Sequence, residues 1–287
     1  MRTACSVSLL LAVPALFAAP DPESINLRNL APAKGARFIT KGSATNERTY
    51  TGKAPGQGTG TETIETTRET ETEILEVKAG KFVKLRSKII TYLEKTTRMA
   101  GARSQTQRAR NVLVGLAVVS ECTRTGWKST LEKGKATAKQ QQALDALTFD
   151  DEGLFPDRKV KVGDTWKVEP KALAKHFGKE VKDATGKVTA TFKKIETVGG
   201  ERCAVVEVDL SLRYKDVGKG PDPTVIINYK GTLTIHRSLQ SGLYRKEVYK
   251  GTTGGELIGK TKAGDDITLA TVKGKMTGED TTRAVKK

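Results

Sequence analysis

Apolar and polar residues alternate along three stretches of the chain. In the first, Val83, Leu85, Ile89 and Leu93 share one parity while Lys84, Arg86 and Lys88 take the other. In the second, Ala204, Val206, Val208, Leu210, Leu212 and Tyr214 run against Glu207, Asp209 and Arg213. In the third, Val225, Ile227, Tyr229, Leu233 and Ile235 alternate with Asn228, Lys230, Thr232 and Thr234. Successive side chains of a strand point to opposite faces, so each run predicts a strand with one buried and one wet face. That is the habit of antiparallel sheets. The polar tract from Thr61 to Glu73 also predicts a strand, because threonine favours extended backbone and Ile64, Thr66, Thr70, Thr72 and Ile74 can share a face.

Punctuation fits the same picture. Lys78–Lys81, Val198–Glu201, Ser241–Gly242 and Ala263–Asp266 carry the glycines of hairpin turns. Thr51–Gly60 and Met99–Arg110 read as exposed loops. Helix is confined to two short pieces. Thr137 can cap Ala138–Leu147, with Ala143, Leu144 and Leu147 on one side, and a turn of helix is expected over Pro170–Phe177. The fold class predicted is mainly β: an antiparallel, strongly bent sheet or partial β-barrel with a small helical insert. Residues 1–19 read as a signal peptide, with Arg2 ahead of the short apolar run Ser8–Val13 and small residues at Ala15, Ala18 and Ala19. Residues 20–287 then form a single β-rich domain of two similar halves, about 20–135 and 155–287, joined by the helical insert at 137–147. No later stretch reaches the roughly 20 apolar residues of a membrane helix.

The stretch Phe155–Pro170, FPDRKVKVGDTWKVEP, predicts a structural corner. Val160 and Val162 share a parity, Gly163-Asp164 is a strong turn pair, and Trp166 follows on a strand that can anchor the corner to the core. Asp164 has no histidine or second carboxylate near it in sequence, which disfavours acid–base chemistry.

The formal net charge of +17 becomes +16 once Arg2 leaves with the signal. Such a surface is drawn to polyanions, so an anionic polymer or membrane surface is a candidate partner. The lysines are scattered, however, and aromatics are only 5% of residues, too few for the stacking platforms of nucleic-acid binders. No specific nucleic-acid recognition is expected. Cys122 and Cys203, the cysteines left after Cys5, allow one disulfide, which would close a loop of about 80 residues. They serve equally well as two buried small hydrophobes. His176 and His236 read as surface residues, and the two histidines with two cysteines make a poor zinc set. The glycine-rich GTTGGELIG, Gly251–Gly259, lacks the ending of a P-loop and reads as a turn, as does Asp265-Asp266 beside Gly264. No catalytic, cofactor-binding or metal-ligating residue is singled out.

The opening SINLRNLAPAKGARFITKG reads as a leading strand pair. With Phe155-Pro156, the Val160–Trp166 run and the later hairpin GLYRKEVYKGT, it resembles an uncharacterised family of secreted bacterial β-rich proteins. The hallmark of that family is Val-x-Val-Gly-Asp-Ser/Thr-Trp. The resemblance implies a β-rich fold and no reaction. In architecture alone the chain is similar to periplasmic lipoprotein-carrier proteins, whose bent half-barrel takes up acyl chains. The function expected is that of an exported, periplasmic or extracellular, non-enzymatic envelope protein binding a lipid or other hydrophobic small molecule on a curved sheet. The alternatives are a basic surface that binds anionic envelope polymers and a purely structural or interaction module.

Overall fold

The computed structural model describes residues 24–30, 32–53, 58–147, 149, 153–176, 184–216, 224–260 and 266–285. The expected signal peptide and the Ala263–Asp265 part of one predicted turn lie outside them. The elements are β1 (Arg37–Gly52), β2 (Thr59–Lys78), β3 (Lys81–Ala100), β4 (Arg103–Ala109), β5 (Ala117–Thr123) and β6 (Gly126–Leu131). There follow α1 (Ala138–Asp145), β7 (Thr165–Lys167), α2 (Pro170–His176), β8 (Thr185–Val198) and β9 (Glu201–Asp216). β10 (Thr224–Ser238), β11 (Tyr244–Lys260) and β12 (Asp266–Ala284) complete the chain.

All twelve strands join one antiparallel sheet in the order β6-β5-β3-β2-β1-β12-β11-β10-β9-β8-β7, with β4 paired to β3 alone. The sheet is not closed. Its middle is the long ladder of β1 with β12, from Phe38 opposite Ala284 to Gly52 opposite Ala270, so each half of the chain builds one limb. Val118 on β5 and Leu212 on β9 nevertheless line the same cavity. Seven strand spacings separate these strands in the sheet, about 34 Å if it were flat. Only strong bending can bring them together, and the bent, mainly β architecture expected from the alternation is the one found.

The hairpin turns explain themselves locally. Gly199 and Gly200 carry φ of 59° and 82°, the paired left-handed conformation of a two-residue hairpin loop that glycine adopts without strain. The capping box predicted for the helical insert is present: Gln140 N donates to Thr137 Oγ1 at 3.3 Å and Thr137 N to Gln140 Oε1 at 2.9 Å. Leu144 buries against Leu113 and Val118, which closes the end of the β5–β6 limb.

The main core lies on the concave side of β8, β9 and β10. Phe192, Val206, Val208, Leu233 and Ile235 pack there against Leu27, Leu154, Phe155, Val160 and Leu173 from the segments that cross the sheet's mouth. The opposite, convex face of the central strands is built from Thr63, Glu65, Glu69 and Glu71 of β2 facing Lys41 and Arg37 of β1, with ion pairs Lys41–Glu69 and Arg37–Glu71. A lipid-facing barrel wall carries apolar residues outward; here the outward rows suit water. Among the described residues no helix is long and apolar enough to cross a membrane.

Four expectations need correction. Leu93 does not share the buried face of Leu85: a register shift opposite Glu69 and Thr70 inserts Ile90, reverses the parity and leaves Leu93 42% exposed. Met99–Arg110 is the tip of a hairpin, β3 to β4, with β4 exposed along its whole length. Gly251–Gly259 is the middle of β11, not a turn. Among the described residues the segment before Arg37 holds no strand of its own: Ile25 makes an isolated bridge to Val160, Gly35 and Ala36 bond to Ile74 of β2, and β1 is the one strand of the expected pair.

Candidate functional site

Bending leaves a cleft of about 860 Å³ on the concave side, open to solvent and lined mostly by apolar atoms. One wall comes from the first limb, with Ile74, Phe82, Leu85, Leu113 and Val118. The facing wall comes from the second, with Leu212, Ile226, Ile227 and Leu257. The even-numbered residues of β1 and β2 point inward between them, among them Thr40, Ala44, Thr66, Thr70 and Thr72. The threonine-rich tract therefore supplies the floor, as the shared parity of Thr66, Thr70, Thr72 and Ile74 predicts.

Glycine shapes that floor. A Cβ on Gly251 would fall 2.6 Å from Tyr229 Oη, and one on Gly278 would fall 2.2 Å from Tyr249 Cζ. Both tyrosine rings thus lie down across glycines of the neighbouring strand and form part of the cleft floor. This is why β11 and β12 carry glycine in mid-strand, where the residue otherwise weakens a sheet. Tyr229 is only 5% exposed. Burial, with the neighbouring Tyr249 and Tyr214 phenols, pushes its pKa up to about 12, so it is a neutral hydrogen-bonding group.

Charges on the concave face are arranged in cross-strand pairs. Arg68 Nη2 on β2 donates to Asp280 Oδ2 on β12, and Glu247 stands directly opposite Asp280 in the β11–β12 ladder. Nearer the far end, Glu62 accepts from Arg98 Nε at 2.8 Å and from Tyr50 Oη at 3.1 Å, with Arg48 Nη1 at 3.8 Å. At the other end Arg237 donates to Leu30 O at 2.7 Å and lies over the rings of Phe155 and Tyr244.

The residues singled out from the sequence fall elsewhere. Val160, Val162, Gly163, Asp164 and Trp166 do form a turn against β8. Gly163 N donates to Phe192 O, Phe192 N to Asp164 O, and Gly163 holds φ at 96°. Asp164 Oδ2 accepts from Lys161 N and Arg158 Nη1, each at 3.2 Å. Those two donors, the backbone one first, hold its carboxyl below the usual range. Trp166 is half-buried and donates Nε1–H to Leu154 O at 2.9 Å, tying the turn to the crossing segment. Val160 is buried, whereas Val162 is 43% exposed, because only Val160 is held in the bridge to Ile25 and the chain turns immediately after it. None of the five lines the cleft.

Cys122 and Cys203 are not bridged to one another. Cys203 is buried on β9 and donates to Glu201 O, and burial raises its pKa, so it behaves as a small hydrophobe. Cys122 is exposed on β5, seven strand spacings away in the sheet. His236 is also not a surface residue: it is 8% exposed, with Nε2 2.9 Å from Glu196 Oε1. The side chain of His176 lies outside the described residues. Arg68, Asp280, Tyr229 and the glycines beneath the tyrosines escape a reading of the sequence; the one available signal is glycine at mid-strand between aromatic residues.

No protein-family model matches the chain, and no curated protein matches it. Among solved structures, a lipovitellin structure concerned with lipid–protein interactions aligns with 89% of this chain at 8% identity and a TM-score of 0.44. It is matched over 26% of its own length, so the chain spans about a quarter of lipovitellin. An outer membrane channel from Pseudomonas putida F1 aligns with 90% of this chain and 98% of its own at 9% identity and a TM-score of 0.26. Neither likeness is close enough to carry an argument about function.

Proposed function

We propose that this protein is an exported, non-enzymatic binder that holds a lipid or another hydrophobic small molecule in its concave cleft. The observation that carries this reading is the cleft itself: about 860 Å³ between two apolar walls, kept open by tyrosines laid flat on glycines. A volume in this range suits a drug-sized or acyl ligand, and apolar walls with a few placed polar groups are the usual composition of such sites. Arg68 is paired with Asp280 and Arg48 with Glu62, and Arg237 is held by Leu30 O, which supports holding a ligand over transforming one. An envelope location agrees with the leader-like first 19 residues.

Native mass spectrometry of the protein purified from the exported fraction, with an organic extract of the same sample, tests this. A bound mass that extracts as lipid is the expected result. A bare mass, combined with no uptake of a neutral hydrophobic dye, would overturn it and leave the second reading: a basic surface that retains anionic polymers and releases them with salt. That reading rests on the net charge of +17.

A further inference from the structure

Three polar atoms on the floor of the cleft are buried without a hydrogen-bond partner among the described residues: Tyr229 Oη, Thr253 Oγ1 and Asn46 Oδ1. Buried polar groups are nearly always paired, and an unpaired one costs about 1–3 kcal/mol. All three residues line the same cleft. Tyr229 and Thr253 face one another in the β10–β11 ladder. Thr253 Oγ1 reaches over Gly274, where a Cβ would come within 2.7 Å of it. Gly274 pairs with Arg48, and Asn46 stands two residues from Arg48 on the same face of β1. From Asn46 on β1 to Tyr229 on β10 is three strand spacings, about 14 Å between backbones, a gap that Tyr229 narrows by laying its hydroxyl over Gly251 of β11 and Thr253 by reaching over Gly274 of β12.

The charge around them narrows its chemistry. Each arginine lining the cleft is engaged: Arg68 by Asp280, Arg48 by Glu62, and Arg237 by Leu30 O and two rings. Asp280 and Glu247 would repel an anion brought beside them. A phenol that donates, an amide oxygen that accepts and a hydroxyl that does either are complemented by a ligand carrying both a carbonyl and a hydroxyl.

We infer that Tyr229, Thr253 and Asn46 form a hydrogen-bonding subsite for the uncharged headgroup of an ester- and hydroxyl-bearing lipid of the acylglycerol type. This rests on the cleft-binding reading above and specifies its ligand. The acyl chain lies along the apolar walls, and the headgroup sits over the glycine floor between β1 and β10.

The test is displacement of the neutral dye N-phenyl-1-naphthylamine from the purified protein by three competitors: monooleoylglycerol, oleate and 1-octadecene. Monooleoylglycerol should compete best. Tyr229→Phe keeps the ring over Gly251 and removes one hydroxyl. It should weaken monooleoylglycerol by roughly five- to tenfold, the worth of one hydrogen bond, and leave octadecene unchanged. Thr253→Val should act in the same sense, which covers a Tyr229 variant that folds poorly. Equal effects of both variants on monooleoylglycerol and octadecene, or no effect on either, would overturn the subsite while the cleft reading stands. Oleate competing as well as monooleoylglycerol would also overturn it, in favour of an anion site. Failure of the dye and all three lipids to bind would remove the cleft reading itself, and the subsite with it.

Discussion

Arg68 Nη2 on β2 and Asp280 Oδ2 on β12 meet at 2.5 Å above Gly42, a residue of β1, the strand between theirs. A Cβ at position 42 would lie 1.9 Å from Asp280 Oδ1 and 3.0 Å from Arg68 Nε. The pair spans two strand spacings only because the intervening strand has no side chain there. It ties both limbs of the sheet to its central ladder.

Gly42→Ala should therefore destabilise the protein by about 1–3 kcal/mol, the usual range for overpacking, read as a lower midpoint in urea at unchanged slope. Asp280→Ala removes the atom that clashes. In that background Gly42→Ala should cost much less, a non-additivity expected of residues in contact. Equal costs in both backgrounds would show that the clash is absent.

The corner offers a contrast within three residues. Val160 is buried and Val162 is exposed, so Val160→Ala should cost about 2 kcal/mol and Val162→Ala close to nothing. Trp166→Ala should cost about 3 kcal/mol. Trp166→Phe should cost about 1 kcal/mol, since it keeps much of the packing and loses the bond to Leu154 O. Thermal unfolding of the four variants orders them, and a Val162 variant as damaging as Val160→Ala would contradict the placement of the turn.

How far the sequence could be read follows from the range of each interaction. Period two on β9 and β10 reports the local pleat, so Val206, Val208, Leu233 and Ile235 could be assigned to the core directly. The same rule failed on β3 past Ile89, because a bulge is set by the register with β2, which no local pattern encodes. The glycine-rich run from Gly251 to Gly259 looked like a turn because the reasons for its glycines lie on neighbouring strands: Tyr229 over Gly251 and the Ile226 carbonyl against Gly255. His236 looked exposed because it stands on the polar parity of its strand, yet Glu196 two strands away covers it. The cleft was the least legible part: Arg68 and Asp280 are 212 residues apart in sequence, and only the β1–β12 ladder makes them neighbours.

Glu201 carries a prediction about pH. Burial alone would raise its pKa, but hydrogen bonds from Arg245, Ser238 and Ser241 outweigh it and hold the carboxyl below its ordinary value of 4.5. A carboxylate with a depressed folded-state pKa contributes stability above its unfolded value, and that contribution is lost as pH falls through the folded one. Glu201→Gln should thus be clearly destabilising near neutral pH, with the difference from the parent shrinking below about pH 4.5. Urea midpoints of the two proteins across that window check it. A difference independent of pH would mean that the side chain contributes by packing alone.

The last prediction concerns the tyrosines that leave the cleft open. At Gly278 a Cβ would overlap the ring of Tyr249, whose atoms lie 2.2 to 2.3 Å from it. The ring cannot sink further, because the strand is beneath it, so in Gly278→Ala it must swing up into the cleft. The variant should lose capacity for a long-chain ligand while the far-ultraviolet spectrum stays that of a β-sheet. Gly278→Ala combined with Tyr249→Ala removes the overlapping ring and should restore uptake, at the cost of a large-to-small change worth about 3 kcal/mol. If the single variant binds a hydrophobic dye as the parent does, the flat rings are an accident of packing and do not set the width of the cleft.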